Sequence, residues 1–322
     1  MERRQMPTSV HGIHHVTAIA GDPQENLNFY VGVMGMRLVK KSVNQDAPDT
    51  YHLFYADGAG TPGTDLTFFP WPDMGPARLG AGFTVEVPFA VPMDSLAYWQ
   101  ARFEKERVVF GNVETRFGEK VLPFQDPHGL RLALVETHAA RPFVPWANSP
   151  VPTECQLRGM HAVRLWERDL KLTEALLTQV MGFERLGAED GWQRYGVEEG
   201  ASGKLIEVKE RPGERRGEWG TGGVHHVAWR VKDSEEQLGL RAVIEAVGLR
   251  PTPQIDRFWF QSVYFREPGG ALFELATDGP GFDRDEAQAH LGERLILPPW
   301  LEPQRSAIEA ALPPLAMPHH AR

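Results

Sequence analysis

The chain has 322 residues, 42% hydrophobic and 24% charged, a composition that fits a globular protein of about two domains and excludes disordered and collagen-like chains. With 34 basic and 43 acidic side chains the net charge is −9 and no basic stripe is present, so neither nucleic acid nor an anionic membrane surface is an expected partner. One cysteine, Cys155, excludes a disulfide scaffold and fits a reducing, cytoplasmic setting, and no apolar run has the length of a bilayer span or a secretory signal.

In chain order, Gly12-Ile13-His14-His15-Val16 opens a strand, and Asp22-Pro23 follows as a helix N-cap and first helical residue. Leu27, Tyr30, Val31 and Met34 give that helix one apolar face, which ends at Gly35. Residues 64–69 alternate as a closing strand. A weaker copy follows, with a strand at 83–87, a helix face of Leu96, Trp99 and Phe103, and a closing strand at 129–135. Residues 141–153 hold four prolines and no periodicity, which marks a linker. The layout returns at Gly159-Met160-His161-Ala162-Val163, with Asp169, then Leu172, Leu176, Leu177 and Val180, a stop at Gly182 and a strand at 204–208. It returns again at Gly223-Val224-His225-His226-Val227, with Asp233, then Leu240, Val243, Ile244 and Val247, a stop at Gly248 and a strand at 271–276. The tail from Gly279 is proline-rich, and its segments 287–296 and 305–312 read as helical pieces that wrap the body.

Each copy is therefore a βαβββ module. One module alone has an open sheet with a single face to bury, so modules must pair. The expected fold is α+β, with four modules pairing into two cup-shaped mixed-sheet barrels. The expected division is an N-terminal pair at 10–140, a linker at 141–157, a C-terminal pair at 158–278 and a wrapping tail at 279–322.

The repeat also singles out chemistry, because a purely structural position should look alike in every copy. The fourth residue of the opening strand is His15, Ala162 and His226 in copies one, three and four. The matching place in the four closing strands holds Thr67, Ala133, Glu207 and Glu274. One site built from His15, His226 and Glu274 is the simplest reading. Two imidazoles and a carboxylate on rigid strands leave open coordination positions, the donor set of non-haem Fe(II) oxygenases, although Mn(II) or Zn(II) would accept the same ligands.

With these residues the chain resembles the vicinal oxygen chelate superfamily of glyoxalase I and the extradiol dioxygenases, and within it the hydroquinone ring-cleaving branch. The resemblance covers nearly the whole chain, including Leu297-Pro298-Pro299-Trp300-Leu301-Glu302-Pro303 in the tail. It implies the glyoxalase/bleomycin resistance/dihydroxybiphenyl dioxygenase fold, metal ligands His15, His226 and Glu274, Fe(II) as cofactor, and a small aromatic diol with O2 as substrates. It further implies roles for Tyr264, Arg257, Thr17, His14 and His225: Tyr264 as donor to a developing oxyanion, Arg257 on the far hydroxyl, and His14 or His225 as proton shuttle. Strand alternation puts Thr17 on the face of His15 but turns His14 and His225 to the opposite face. Phe258, Trp259 and Phe260 are the expected cavity walls, and His52 and His128 are candidates to flank the cup, without support from the repeat. A glyoxalase-like lyase or isomerase, a catechol extradiol dioxygenase and a metal-free binding protein are the competing readings. Unpaired sheet edges leave room for a homo-oligomer.

Overall fold

The computed structural model describes residues 9–138 and 141–318. Its first module is β1 (Ile13–Ala20), helix α1 (Pro23–Leu27), β2 (Arg37–Asn44), β3 (Ala47–Ala56) and β4 (Asp65–Pro70). The second is β5 (Phe83–Val91), α2 (Leu96–Glu106), the short β6 (Val109–Phe110) and β7 (Glu114–Arg116), then β8 (Glu119–Gln125) and β9 (Arg131–Glu136). The third is β10 (Ala162–Glu167), α3 (Leu170–Gln179), β11 (Glu184–Glu189), β12 (Trp192–Gly196) and β13 (Leu205–Glu210). The fourth is β14 (Val224–Val231), α4 (Ser234–Ala246), β15 (Ile255–Asp256), β16 (Phe260–Arg266) and β17 (Leu272–Pro280). The expected caps form: the carboxylates of Asp22, Asp169 and Asp233 accept hydrogen bonds from backbone N–H groups of the first turns of α1, α3 and α4. Helix α1 is short and continues as a π-helical turn over Asn28–Val33.

The sheets run β15-β16-β17-β14-β1-β4-β3-β2 and β11-β12-β13-β10-β5-β9-β8-β6. Module one therefore pairs with module four, and module two with module three. This replaces the expected pairing of neighbouring modules within 10–140 and within 158–278, since each sheet takes strands from both half-chains. Antiparallel pairing of two opening strands, β1 with β14 and β5 with β10, closes the inner edge of each open sheet. The periodic pattern does not say which opening strand takes which partner.

The two sheets share one register. Ala228 faces His15 across β14 and β1, as Arg164 faces Glu86 across β10 and β5. Glu274 lies beside Ala228, as Glu207 lies beside Arg164. The second cup thus carries Glu86, Ala162 and Glu207 where the first carries His15, His226 and Glu274. Its centre is filled by the buried Arg164 guanidinium, which donates to Glu207 at 2.8 Å and to Glu86 at 3.3 Å. Arg194 adds two more bonds to Glu207, at 2.6 and 3.0 Å.

The tail wraps the first sheet. Helix α5 (Arg305–Ala311) forms as expected, but the segment 287–296 holds only a 3-10 turn at Gln288–His290, then turns and bends through 291–294 and bridges Lys41 of β2 at Leu295, with the Ile296 N–H bonded to the Lys41 carbonyl. Backbone pairing with an open sheet edge here replaces the expected helix. Lys40, fully buried, anchors the tail through bonds to Asp285 (2.6 Å), Glu286 (2.6 Å) and the Phe282 carbonyl (3.1 Å). The segment between the half-chains is also held down, since the Arg141 guanidinium donates to the Met160 and Gly63 carbonyls. Among the described residues no helix is long and apolar enough to cross a membrane.

Candidate metal centre

Three adjacent strands deliver the three expected donors to one point. His15 comes from β1, His226 from β14 and Glu274 from β17, each buried, with ligand atoms within 4.8 Å of one another. His226 Nε2 lies 2.9 Å and His15 Nε2 3.3 Å from Glu274 Oε2, and the two imidazole nitrogens are 3.3 Å apart. Such separations match the edge between neighbouring ligands that each sit about 2.0–2.2 Å from a shared ion. Glu274 Oε2 is otherwise buried without a hydrogen-bond partner, a costly state for a carboxylate unless a cation completes it. The donor set fits a divalent metal ion.

Burial alone would raise the Glu274 carboxyl, but the imidazoles of His15 and His226 outweigh it and hold the group well below the usual carboxylate range. Burial lowers the His226 imidazole against the pull of Glu274. The site therefore offers an ionised carboxylate and a neutral His226 imidazole, the protonation states that coordination requires.

His14 and His225 lie against the ligands, contrary to the alternation rule. Across β1 and β14 the register steps from Ile13–Trp229 to His15–Ala228 and from Thr17–His226 to Ala18–Val224, so His14 and His225 are the extra residues of two β-bulges. A bulge re-aims its side chain. His14 Nδ1 meets His15 Nδ1 at 2.9 Å and His225 Nδ1 meets His226 Nδ1 at 2.8 Å. With each ligand Nε2 turned to the shared point, its Nδ1–H donates to the neighbouring histidine, which fixes tautomer and ring orientation. Burial, then the adjacent ligand imidazole, drives both His14 and His225 down to about 3, so both stay neutral acceptors. His225 also stacks on Trp219, with ring centroids 4.4 Å apart.

Ser262, on β16, was not singled out from sequence, yet its hydroxyl donates to Glu274 Oε1 at 2.5 Å. The usable signal was its place two residues before Tyr264, on the same face of the strand. Tyr264 pairs with Glu274 in the sheet and its ring meets that of His226 at 5.5 Å. Burial and the charge of Glu274 raise its hydroxyl above the ordinary value, so it is a proton-bearing donor. Arg257 lies over the Tyr264 ring and donates to Asp46 Oδ2 at 2.8 Å; burial opposes its charge, but Tyr264 and Asp46 hold it ionised. Thr17 faces inward with His15, as expected, and its hydroxyl shares a 2.7 Å hydrogen bond with that of Thr67.

A cavity opens onto the ligands, lined on its apolar side by Phe54, Phe69, Trp259 and Phe260 and on its polar side by the Asn44–Asp46 turn, His52, Arg257 and Tyr264. Trp259 and Phe260 occupy the expected wall. Phe258 does not: its backbone adopts φ +76° and its ring turns to Trp300 and Arg284. Phe54 and Phe69 of module one take the remaining wall, which only the pairing of modules one and four can reveal. His128 lies away from this cavity, 3.1 Å from Glu25.

Comparison with known proteins agrees with this architecture. Residues 12–134 and 159–275 match the Glyoxalase/Bleomycin resistance protein/Dioxygenase superfamily. The chain is 44% identical over 303 residues to the protein named "Putative ring-cleaving dioxygenase MhqO" of Bacillus subtilis, covering 94% of this chain and 96% of that one. It is 34% identical over 307 residues to the chlorohydroquinone/hydroquinone 1,2-dioxygenase of Sphingobium indicum, covering 92% and 94% of the two chains. A crystal structure from Bacillus subtilis named as that of a "putative dioxygenase" superposes with a TM-score of 0.92 at 42% identity, covering 97% of this chain and 99% of that one. Two matching segments, one in each half-chain, and a shared fold over almost the full length lead to one conclusion: the chain belongs to the Glyoxalase/Bleomycin resistance protein/Dioxygenase superfamily.

Proposed function

We propose that this protein is an Fe(II)-dependent ring-cleaving dioxygenase that opens a 1,4-dihydroxybenzene ring with O2. The observation that carries the reading is the convergence of His15, His226 and Glu274 beneath an aromatic-lined cavity. Its relatives at 44% and 34% identity, named for ring cleavage and for hydroquinone 1,2-dioxygenation, support the same substrate class. His15, His226 and Glu274 would hold the iron, which lowers the pKa of a bound hydroxyl and supplies one-electron chemistry toward O2.

The chain's own groups then have distinct tasks. The aromatic walls exclude water and orient a flat ring. Tyr264 keeps its proton and offers it as a hydrogen bond to oxygen charge developing beside Glu274. Arg257, expected on the far hydroxyl, instead gives its terminal nitrogens to Asp46; held between Tyr264 and Asp46, it fixes the Tyr264 ring and adds positive potential at that end of the cavity. Neutral His14 and His225, expected as proton shuttles, are instead held down at about 3 by burial, too weakly basic to take a substrate proton, and they serve to orient the ligand imidazoles through the Nδ1 bonds.

Oxygen-electrode measurements on iron-loaded protein with hydroquinone, methylhydroquinone, chlorinated hydroquinones and catechol test the proposal. Oxygen uptake in step with loss of hydroquinone is expected. Turnover without oxygen uptake would instead indicate a lyase or isomerase, and uptake with catechol alone would move the substrate class to ortho-diols.

A further inference from the structure

We infer that His52 binds the second hydroxyl of the para-diol, the one turned away from the ion, and so sets the preference for 1,4-dihydroxybenzenes; the inference rests on the function proposed above. The internal repeat carries the argument. In module four, Ser262 of β16 donates to Glu274 of β17. In module one the corresponding bond joins His52 of β3 to Thr67 of β4, at 2.9 Å. Thr67 stands where Glu274 stands in its own module, alongside Thr17 as Glu274 is alongside Ala228. A threonine already bonded to Thr17 gives His52 no ligand carboxylate to orient. The imidazole instead lines the cavity.

The other polar groups on that wall are largely engaged with one another. Arg257 gives its terminal nitrogens to Asp46, the Gln45 side chain donates to the Arg257 carbonyl, and Asn44 accepts from the Asp46 amide. His52 uses Nε2 on Thr67, while Nδ1 has no hydrogen bond among the described residues and is not sealed away from the cavity or solvent. Its ring is clamped between Phe54 and Phe69, with centroids at 3.8 and 4.4 Å, so the free nitrogen has a fixed direction. Because the Thr17 and Thr67 hydroxyls can each turn, Nδ1 can serve as donor or acceptor.

Position selects the ligand. β3 lies two strands from β1, about 10 Å along the sheet. That span is of the order needed between an ion at His15 and a hydrogen-bond partner of the opposite ring oxygen in a para-diol. The second oxygen of an ortho-diol, next to the first, falls short, and phenol has none.

The test is anaerobic binding of hydroquinone and of phenol to iron-loaded wild-type, His52→Phe and His52→Gln proteins by calorimetric titration, with iron content measured on each sample. Loss of one hydrogen bond at a buried hydroxyl predicts that the hydroquinone-over-phenol preference falls about tenfold to a hundredfold in His52→Phe, with phenol binding unchanged and partial recovery in His52→Gln. A preference equal to wild type in both variants, or equal weakening of both ligands, overturns the assignment. Oxygen uptake by wild type is scored separately: an absence of uptake defeats the proposed dioxygenase reaction, while the binding ratio still reports on His52.

Discussion

Replacing Ser262 with alanine isolates the contribution of a group that neither ligates nor contacts an ion. Its hydroxyl lies 2.5 Å from Glu274 Oε1, and Glu274 is fully buried, so no water replaces the lost donor without rearrangement. A hydrogen bond to an ionised carboxylate is worth about 1.5–3 kcal/mol. In the wild-type protein that bond holds one oxygen so that the other faces His15 and His226. In the variant the carboxylate can rotate, and the ion must restore its orientation. Metal affinity should therefore fall about tenfold to a hundredfold, the usual range for groups that orient metal ligands. Anaerobic competition against a chromophoric chelator with Fe(II) or Co(II) measures this directly, and the Ser262→Thr variant, which keeps a hydroxyl, should recover most of it. A Ser262→Ala protein with wild-type affinity and an intact fold would refute the idea that β16 orients the carboxylate.

Other perturbations follow from the same geometry. His14→Phe and His225→Phe each leave a ligand Nδ1–H without its acceptor, and chelator competition should show metal affinity about tenfold lower or worse in either variant. Lys40→Met strands Asp285 and Glu286 without their buried cation, so urea titration should show a loss of about 3–5 kcal/mol and proteases should gain access to residues 279–318. Burial and the neighbouring Glu267 raise Glu167 from 4.5 to about 9. The folded chain then keeps a proton that the unfolded chain releases, so stability declines as pH rises from about 4.5 to about 9, and Glu167→Gln should flatten that decline in denaturant titrations across the window.

The ligand triad was legible because the repeat compares like with like: His15 and His226 recur in one slot, and Glu274 fills a slot that holds threonine or alanine in modules one and two. The helix starts were legible because an aspartate before an apolar stripe is a local signal. What stayed hidden depends on contacts between strands distant in sequence. The turn of His14 and His225 toward the Nδ1 atoms of the ligands comes from register steps between β1 and β14, more than 200 residues apart, and no single-strand period records it. Alternation could have flagged Ser262 but gave no reason to prefer it over other serines. Phe54 and Phe69 became cavity residues only when module one met module four, His52 was a candidate for the cup's flank that the structure places in its lining, and Phe258 left the wall because its positive φ turns the chain at that point.

The guanidinium between Glu86 and Glu207 separates assembly from loading. One half of the molecule carries its counter-charge on its own polypeptide and needs nothing from solution to close. Among the described residues chelators and metal scarcity would therefore act on the β1–β14 side, where His15, His226 and Glu274 leave their charge to be completed by a divalent ion, while the other sheet completes its own.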